Sequence, residues 1–403
     1  MTTNPLGNRD LIRAINRSTV LTIIKNHGPI ARAEIARQTG LSPATVSAIS
    51  AELILQNLVV EKETGDSKSG RPPILLVINP HGGFVIGIKL TETQAIAAMT
   101  DLEAVVIAKQ IEPILDHAPA SVVKSLTNLI ARLISESGIF KKQLLGVGLG
   151  MAGIIDARRG LLRESPIYHW HDVPLREMLQ KQLKTLVYID NDVNTLTQAE
   201  KWFGSGQVAN NFITVTIGRG VGMGIVVNGQ FYRGAGGGAG ELGHTVVDPD
   251  GPMCECGKRG CLETFVGDLG LLNQAAEAWK RGDISAEAHT PEELVALANA
   301  GDMGAIEIFR KAGEILGRSV ANLANVLNPE RIIISGEGTR AGLWLFNPMF
   351  ESVRQYTLAT LINDLEIKID PWGDDAWARG AATLVLSELF ESPVYRGMSK
   401  AGG

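Results

Sequence analysis

Residues 241–263 read Glu241-Leu-Gly-His244-Thr-Val-Val-Asp-Pro-Asp-Gly-Pro-Met-Cys254-Glu-Cys256-Gly-Lys-Arg-Gly-Cys261-Leu-Glu263, and they hold all three cysteines of the 403-residue chain. One imidazole and three thiolates, from His244, Cys254, Cys256 and Cys261, make the donor set of a closed tetrahedral zinc site with no position for a catalytic water. The competing reading is three buried thiols acting as small hydrophobes. The cysteines are odd in number, which leaves no complete disulfide framework. Gly257 and Gly260 sit between the thiols, where a tight knuckle needs backbone freedom. The stretch therefore predicts one structural zinc per chain.

Working outward, a hydrophobic content of 45% with 20% charged residues fits a globular protein long enough for two or three domains. No apolar run nears the roughly 18 residues of a membrane span, and MTTNPLGNRD lacks a signal-peptide pattern. A cytoplasmic location without membrane contact is expected, since clustered thiols suit a reducing compartment. Residues 1–80 carry nine Lys/Arg against six Asp/Glu, and the remainder carries 29 against 37. A mildly basic head on an acidic body permits nucleic-acid binding by the head.

That head has an ordered pattern. Residues 10–27 place apolar side chains at helical spacing until Gly28-Pro29 stops them. Ala31–Thr39 reads as a short helix capped by Gly40, and Ser42-Pro43 opens a third helix that buries Val46, Ile49 and Leu53. Strands at Leu58–Val60 and Ile74–Ile78 flank a basic Gly/Ser turn. Together these predict a winged helix-turn-helix over residues 1–80. Ala44, Thr45, Ser47 and Ala48 would face base edges. Arg32, Arg37, Lys68 and Arg71 would serve the phosphate backbone or minor groove.

Beyond a boundary at Asn79–Gly83, strands at Phe84–Leu90, Gln94–Thr100 and Val105–Ile111 precede a helix over Ser121–Ser135 and a strand at Leu144–Gly150. Val187–Asp190 reads as a strand and Val193–Phe203 as a helix. A second set begins with strands at Phe212–Ile217, Gly222–Asn228 and Gln230–Arg233. Helices follow to Leu327, then a strand at Arg331–Ser335 and a helix–strand–helix finish through Phe390. The repeated order predicts an α/β body of two related lobes, 81–205 and 206–403, with a cleft between them and the C-terminal helix returning to the first lobe.

Gly240-Glu-Leu-Gly-His244 with Cys254-Glu-Cys-Gly-Lys-Arg-Gly-Cys261-Leu-Glu263, Gly218-Arg-Gly-Val-Gly-Met-Gly224, and Ser69-Gly-Arg-Pro-Pro73 together resemble the ROK family of repressors, open reading frames and kinases. The likeness is to its winged-helix repressors of the xylose and N-acetylglucosamine type, and it runs from about Arg17 to Leu386. It implies the two-lobed actin-like sugar-kinase fold. It also implies sugar contacts at Gly153, Asn191, Asp192, Glu241, His244 and Glu263. Carboxylates suit a polyol because they accept paired hydrogen bonds. A zinc-bound His244 would keep one ring nitrogen for sugar, its tautomer fixed by the metal.

Asp192 stands at the position of the kinase general base. The phosphate loops depart from the kinase pattern. Lys89-Leu-Thr-Glu-Thr93 replaces Asp-x-Gly-Gly-Thr, Gly218-Arg219-Gly220 replaces Gly-Thr-Gly, and Ser335-Gly336-Glu337-Gly338 brings in a carboxylate. A Gly-poor turn cannot gather backbone N–H groups around a phosphate. The expected protein binds no ATP and is not an enzyme. It is a zinc-containing repressor of carbohydrate genes that binds operator DNA as a homodimer or tetramer, with a monosaccharide or sugar phosphate as effector. Arg163, Arg233 and His169 could select a phosphate, although each reads more readily as a surface residue. Two alternatives stay open: an active sugar kinase with a DNA-binding head, and a regulator sequestered by a transport protein.

Overall fold

The computed structural model describes residues 9–63, 74–371 and 374–390. The first part contains α1 (Arg9–His27), β1 (Ile30–Ala31), α2 (Arg32–Thr39), α3 (Pro43–Leu55), β2 (Val59–Glu63) and β3 (Ile74–Ile78). The three strands form an antiparallel sheet in the order β1-β3-β2. Ser42 caps α3 by accepting from the Thr45 N–H, with Pro43 at the first helical position. Gly40 ends α2 in the left-handed conformation, with φ of 70°. Strand β2 runs on through Glu63, past the expected end at Val60, because Lys62 and Glu63 pair with Leu75 and Ile74.

Next come β4 (Phe84–Leu90), β5 (Gln94–Thr100), β6 (Val106–Pro113), α4 (Pro119–Ser137), β7 (Leu144–Met151), β8 (Ile154–Asp156), β9 (Leu161–Ser165), β10 (Trp170–Val173), α5 (Leu175–Leu183), β11 (Val187–Asn191) and α6 (Asp192–Phe203). Their main sheet has the order β11-β7-β4-β5-β6. Strand β4 is antiparallel to β5 and parallel to β7. The small antiparallel sheet β10-β9-β8 and α5 were not anticipated from the sequence. These strands are only three to five residues long, too short to show a clear period of two.

The second lobe holds β12 (Phe212–Ile217), β13 (Val221–Val227), β14 (Gln230–Phe231), α7 (Glu263–Val266), α8 (Asp268–Arg281), α9 (Pro291–Asn299), α10 (Met303–Leu327), β15 (Arg331–Ser335), α11 (Leu343–Tyr356), α12 (Ala359–Ile362), β16 (Glu366–Ile369) and α13 (Asp374–Phe390). Its sheet order, β14-β13-β12-β15-β16, matches the first when read from the other edge. The same hairpin pairs antiparallel, and the same two crossover strands pair parallel. Strand β14 ends before Arg233, whose side chain turns to meet Asp190.

Two helices join the lobes. A Cβ on Gly87 or Gly148 would lie 1.9 or 1.7 Å from a carbonyl oxygen of α13, so only glycine lets that helix rest on β4 and β7. Helix α6 packs in the corresponding way on β13, where a Cβ on Gly224 would meet Thr197 Oγ1 at 2.0 Å. The first sheet and α4 bury Ile86, Leu126 and Leu149, while α10 and α11 cover the second through Phe309, Leu316 and Met349. A third core joins Leu21, Ile24 and Leu76 of the N-terminal part to Val85, Leu102, Leu386 and Phe390.

Candidate functional site

The knuckle residues converge as side chains. Cys254 Sγ lies 3.6 Å from His244 Nδ1, and Cys256 Sγ lies 3.6 Å from Cys261 Sγ. All four ligand atoms fall within 4.8 Å of one another, and none of the cysteines is in a disulfide. A tetrahedron with metal–sulfur bonds of about 2.3 Å has edges of about 3.8 Å, so the cluster fits one zinc ion in spacing and in chemistry. Gly260 makes the turn possible, since a Cβ there would sit 1.4 Å from the Asp248 carbonyl oxygen. His244 is turned to the cluster by Nδ1, which leaves Nε2 for another partner.

The residues expected at the sugar site gather beside it. Asn191 caps α6, accepting from the Val193 N–H at 2.8 Å, and donates through Nδ2 to the Gly153 carbonyl at 3.1 Å. One amide hydrogen and one lone pair of Asn191 remain for a ligand. Gly153 has φ of 134°, a conformation that glycine alone adopts readily. Asp192 opens α6 and accepts from the Val193 N–H at 3.0 Å. Burial raises its pKa, Lys89 and that N–H pull it back, and Glu337 pushes it up again.

Glu241 begins the short turn that carries His244. Its pKa is raised, chiefly by desolvation from the surrounding protein even though the residue is exposed; His244 lowers it, and Asp192, Glu263 and Glu164 raise it. Glu263 starts α7 and accepts from the Val221 N–H at 3.0 Å. Every residue expected at the sugar site thus belongs to one neighbourhood. The sequence reading missed Glu164, an exposed residue of the unanticipated β9. Arg233 is no free phosphate selector: it pairs with the buried Asp190 at 2.7 Å. Arg163 lies against Gly236, and His169 is exposed with φ of 53°.

In the N-terminal part, Ala44, Ser47 and Ala48 are exposed along one face of α3. Thr45 on the same helix is half-buried, with its hydroxyl 2.8 Å from Ser42 Oγ. Arg32 pairs with Glu61 at 2.6 Å and Arg37 with Glu34 at 2.8 Å. Lys68 and Arg71 lie outside the described residues.

The ROK family model matches residues 85–388. The chain belongs to the ROK family. The xylose repressor of Caldicellulosiruptor bescii is 31% identical over 97% of this chain and all of its own length. The N-acetylglucosamine repressor of Escherichia coli O6:H1 is 31% identical over 86% of each chain. Among solved structures, a ROK family transcriptional regulator described as a homolog of the E. coli MLC protein superposes with a TM-score of 0.87, at 27% identity over 97% of this chain and all of that one. A ROK glucokinase from Streptomyces griseus, solved with glucose and AMPPNP, gives 0.66 at 26% identity over 75% of this chain and 99% of its own.

This ROK chain has the actin-like sugar-kinase fold, and its three altered loops meet each other. Lys89 Nζ lies 3.2 Å from Glu337 Oε1, joining the end of β4 to the turn after β15. Arg219 lies 3.7 Å from Glu92 and 3.4 Å from Glu255. A Cβ on Gly218 would be 2.5 Å from Glu337 Oε2, and one on Gly220 would be 2.4 Å from Glu263 Oε2. The open faces of the glycine turn are therefore covered by the protein's own carboxylates. The sequence hint was the opposite charges of Lys89 and Glu337, but they lie 248 residues apart. Behind the third turn, Arg340 pairs with Asp268 at 2.5 Å and Glu292 at 3.2 Å, and the crevice there keeps about 10 Å³ of free volume.

Proposed function

We propose that this protein is a sugar-responsive transcriptional repressor of carbohydrate genes and not a kinase. Its N-terminal winged helix-turn-helix, residues 1–80, binds operator DNA, working as a homodimer or tetramer. Gly153, Asn191 and Asp192 of one lobe, 81–205, and Glu241, His244 and Glu263 of the other, 206–403, hold the sugar between them. His244, Cys254, Cys256 and Cys261 would hold zinc, which supplies shape and the aim of His244 and no chemistry of its own. A ligand that bridges both lobes favours their closed arrangement, and such closure is the usual route by which a cleft ligand shifts a domain equilibrium.

One observation carries the reading: repressor relatives match along nearly the whole chain, head included. The filled glycine turn agrees with it, because phosphoryl transfer needs a cradle of N–H groups and Mg²⁺ around the nucleotide phosphates. The kinase reading has one observation in its favour, Asp192 at the general-base position. Against it stand the Lys89–Glu337 pair and the carboxylates seated over the glycine turn.

The test begins with duplex DNA that the full-length protein selects from a random pool. A cleft sugar should change affinity for that duplex by about 5–150-fold, the range of a coupling of about 1–3 kcal/mol. Absence of any change across a panel of pentoses, hexoses and N-acetylhexosamines would rule out direct sugar sensing. Steady ADP release from ATP, Mg²⁺ and sugar would rule out a protein that only regulates.

A further inference from the structure

The charges around the cleft speak to the effector's chemical class, a question that rests on reading the cleft as a sugar site. At its β4 and β15 end, Glu337 lies over Gly218 and within ion-pair distance of Lys89. At the opposite side, Glu263 lies over Gly220 and accepts from the Val221 N–H. Asp192 is within electrostatic reach of both members of the Lys89–Glu337 pair, and Glu241 is within reach of Asp192, Glu263 and Glu164. The cations nearby are largely committed. Lys89 is held by Glu337, Arg219 by Glu92 and Glu255, and Arg233 by Asp190.

A glycine-flanked turn is where backbone N–H groups would hold an anion, and here a carboxylate of the protein already stands there. A sugar phosphate brings about −1.5 to −2 charges at neutral pH. It would have to displace Glu337 from Lys89 or lie among Asp192, Glu241, Glu263 and Glu337. Like charges brought together in a binding site cost enough to reverse a preference. A neutral polyol meets the opposite situation: hydroxyls donate to those same carboxylates, and the built-in ion pair stays intact.

We propose that the effector is an uncharged sugar and that Glu337, seated over Gly218 and paired with Lys89, is the residue that excludes phosphorylated sugars. It acts as the protein's own anion in a place that a phosphate would otherwise take.

Calorimetry on the full-length protein with D-xylose, D-glucose, N-acetyl-D-glucosamine, glucose 6-phosphate and N-acetylglucosamine 6-phosphate tests this. For the sugar that binds, the neutral form should bind at least roughly tenfold more tightly than its phosphate. Glu337→Gln should shift that ratio about tenfold toward the phosphate by releasing Lys89, whereas Glu337→Asp, which keeps the charge, should hold the wild-type ratio. Thermal unfolding of both variants separates these shifts from a folding defect. Tighter binding of a phosphate by the wild type would overturn the charge argument and leave the sugar-site reading standing; its loss in Arg163→Gln would assign phosphate selection to Arg163. Equal ratios in the Gln and Asp variants would remove Glu337 from the role. No heat with any sugar or phosphate would sink both readings together.

Discussion

Asp192 is pulled in two directions. The N-terminus of α6 and Lys89 favour its charge, whereas burial and Glu337 oppose it, and its pKa ends above the ordinary 3.8. A carboxyl whose folded pKa is raised contributes stability that is complete below the unfolded value and is lost as pH rises through the folded one. Asp192→Asn should therefore raise the Tm of the sugar-free protein at pH 7, with a smaller gain as pH falls toward 4. The same change should weaken sugar binding about 10- to 100-fold, the loss expected when a hydrogen bond to a charged group goes. Calorimetry checks the affinity, and unfolding at the two pH values checks the sign; operator binding lost along with sugar binding would indicate damage to the fold instead. The identity of this carboxylate and its place at a helix start were readable from Asn191-Asp192 ahead of an apolar helix. The approach of Glu337 was not, because it depends on two turns from different lobes meeting across the cleft.

At the scale of elements, the knuckle was readable because its four ligands lie close along the chain and their chemistry selects one metal type. The sheet β8–β10 went unread for the opposite reason: short strands, half exposed, carry little periodicity, and Glu164 went unread with them. The knuckle's end, Glu263, and its histidine belong to the proposed sugar site as well, so a bound metal and a bound sugar would share supports. Removing zinc, with a strong chelator or by Cys256→Ser, should weaken sugar binding by roughly tenfold or more, in line with losses seen when the residues that orient a ligand are disturbed. DNA binding by the distant head should persist. Metal content by mass spectrometry and sugar affinity by calorimetry, measured on the same preparation, decide it. Wild-type affinity in zinc-free protein would show that the knuckle is only a staple.

Over the whole molecule, the duplicated order of strands was readable as a repeat, and the C-terminal helix was expected back on the first lobe, but how the two helices between the lobes are seated was not. Their seats depend on glycines such as Gly87, Gly148 and Gly224, whose importance appears only when the facing helix is in place. Helix α6 spans about 18 Å from Asp192 to Phe203 at the usual rise per residue. Its first turn lines the cleft. Near its other end, Lys25 of α1 places its ammonium 3.1 Å from the centroid of the Trp202 ring. Trp202 meets Phe390 edge-on, and the Thr22 hydroxyl donates to the Phe390 carbonyl at 2.9 Å. One rigid element thus carries Asp192 of the proposed sugar site at its start and touches the head close to its end, so a shift at Asp192 would have a direct mechanical route to α1. Trp202→Ala should leave sugar affinity within about threefold while shrinking the sugar-induced change in operator affinity from the 5–150-fold range of about 1–3 kcal/mol toward none. Lys25→Met, which removes the cation and keeps most of the apolar stem, should give a partial loss, because a cation–π contact of this kind contributes about 0.5–2 kcal/mol. DNA titrations with and without saturating sugar measure both variants. A full response in Trp202→Ala would place the coupling route elsewhere, in the packing of α13 against β4 and β7.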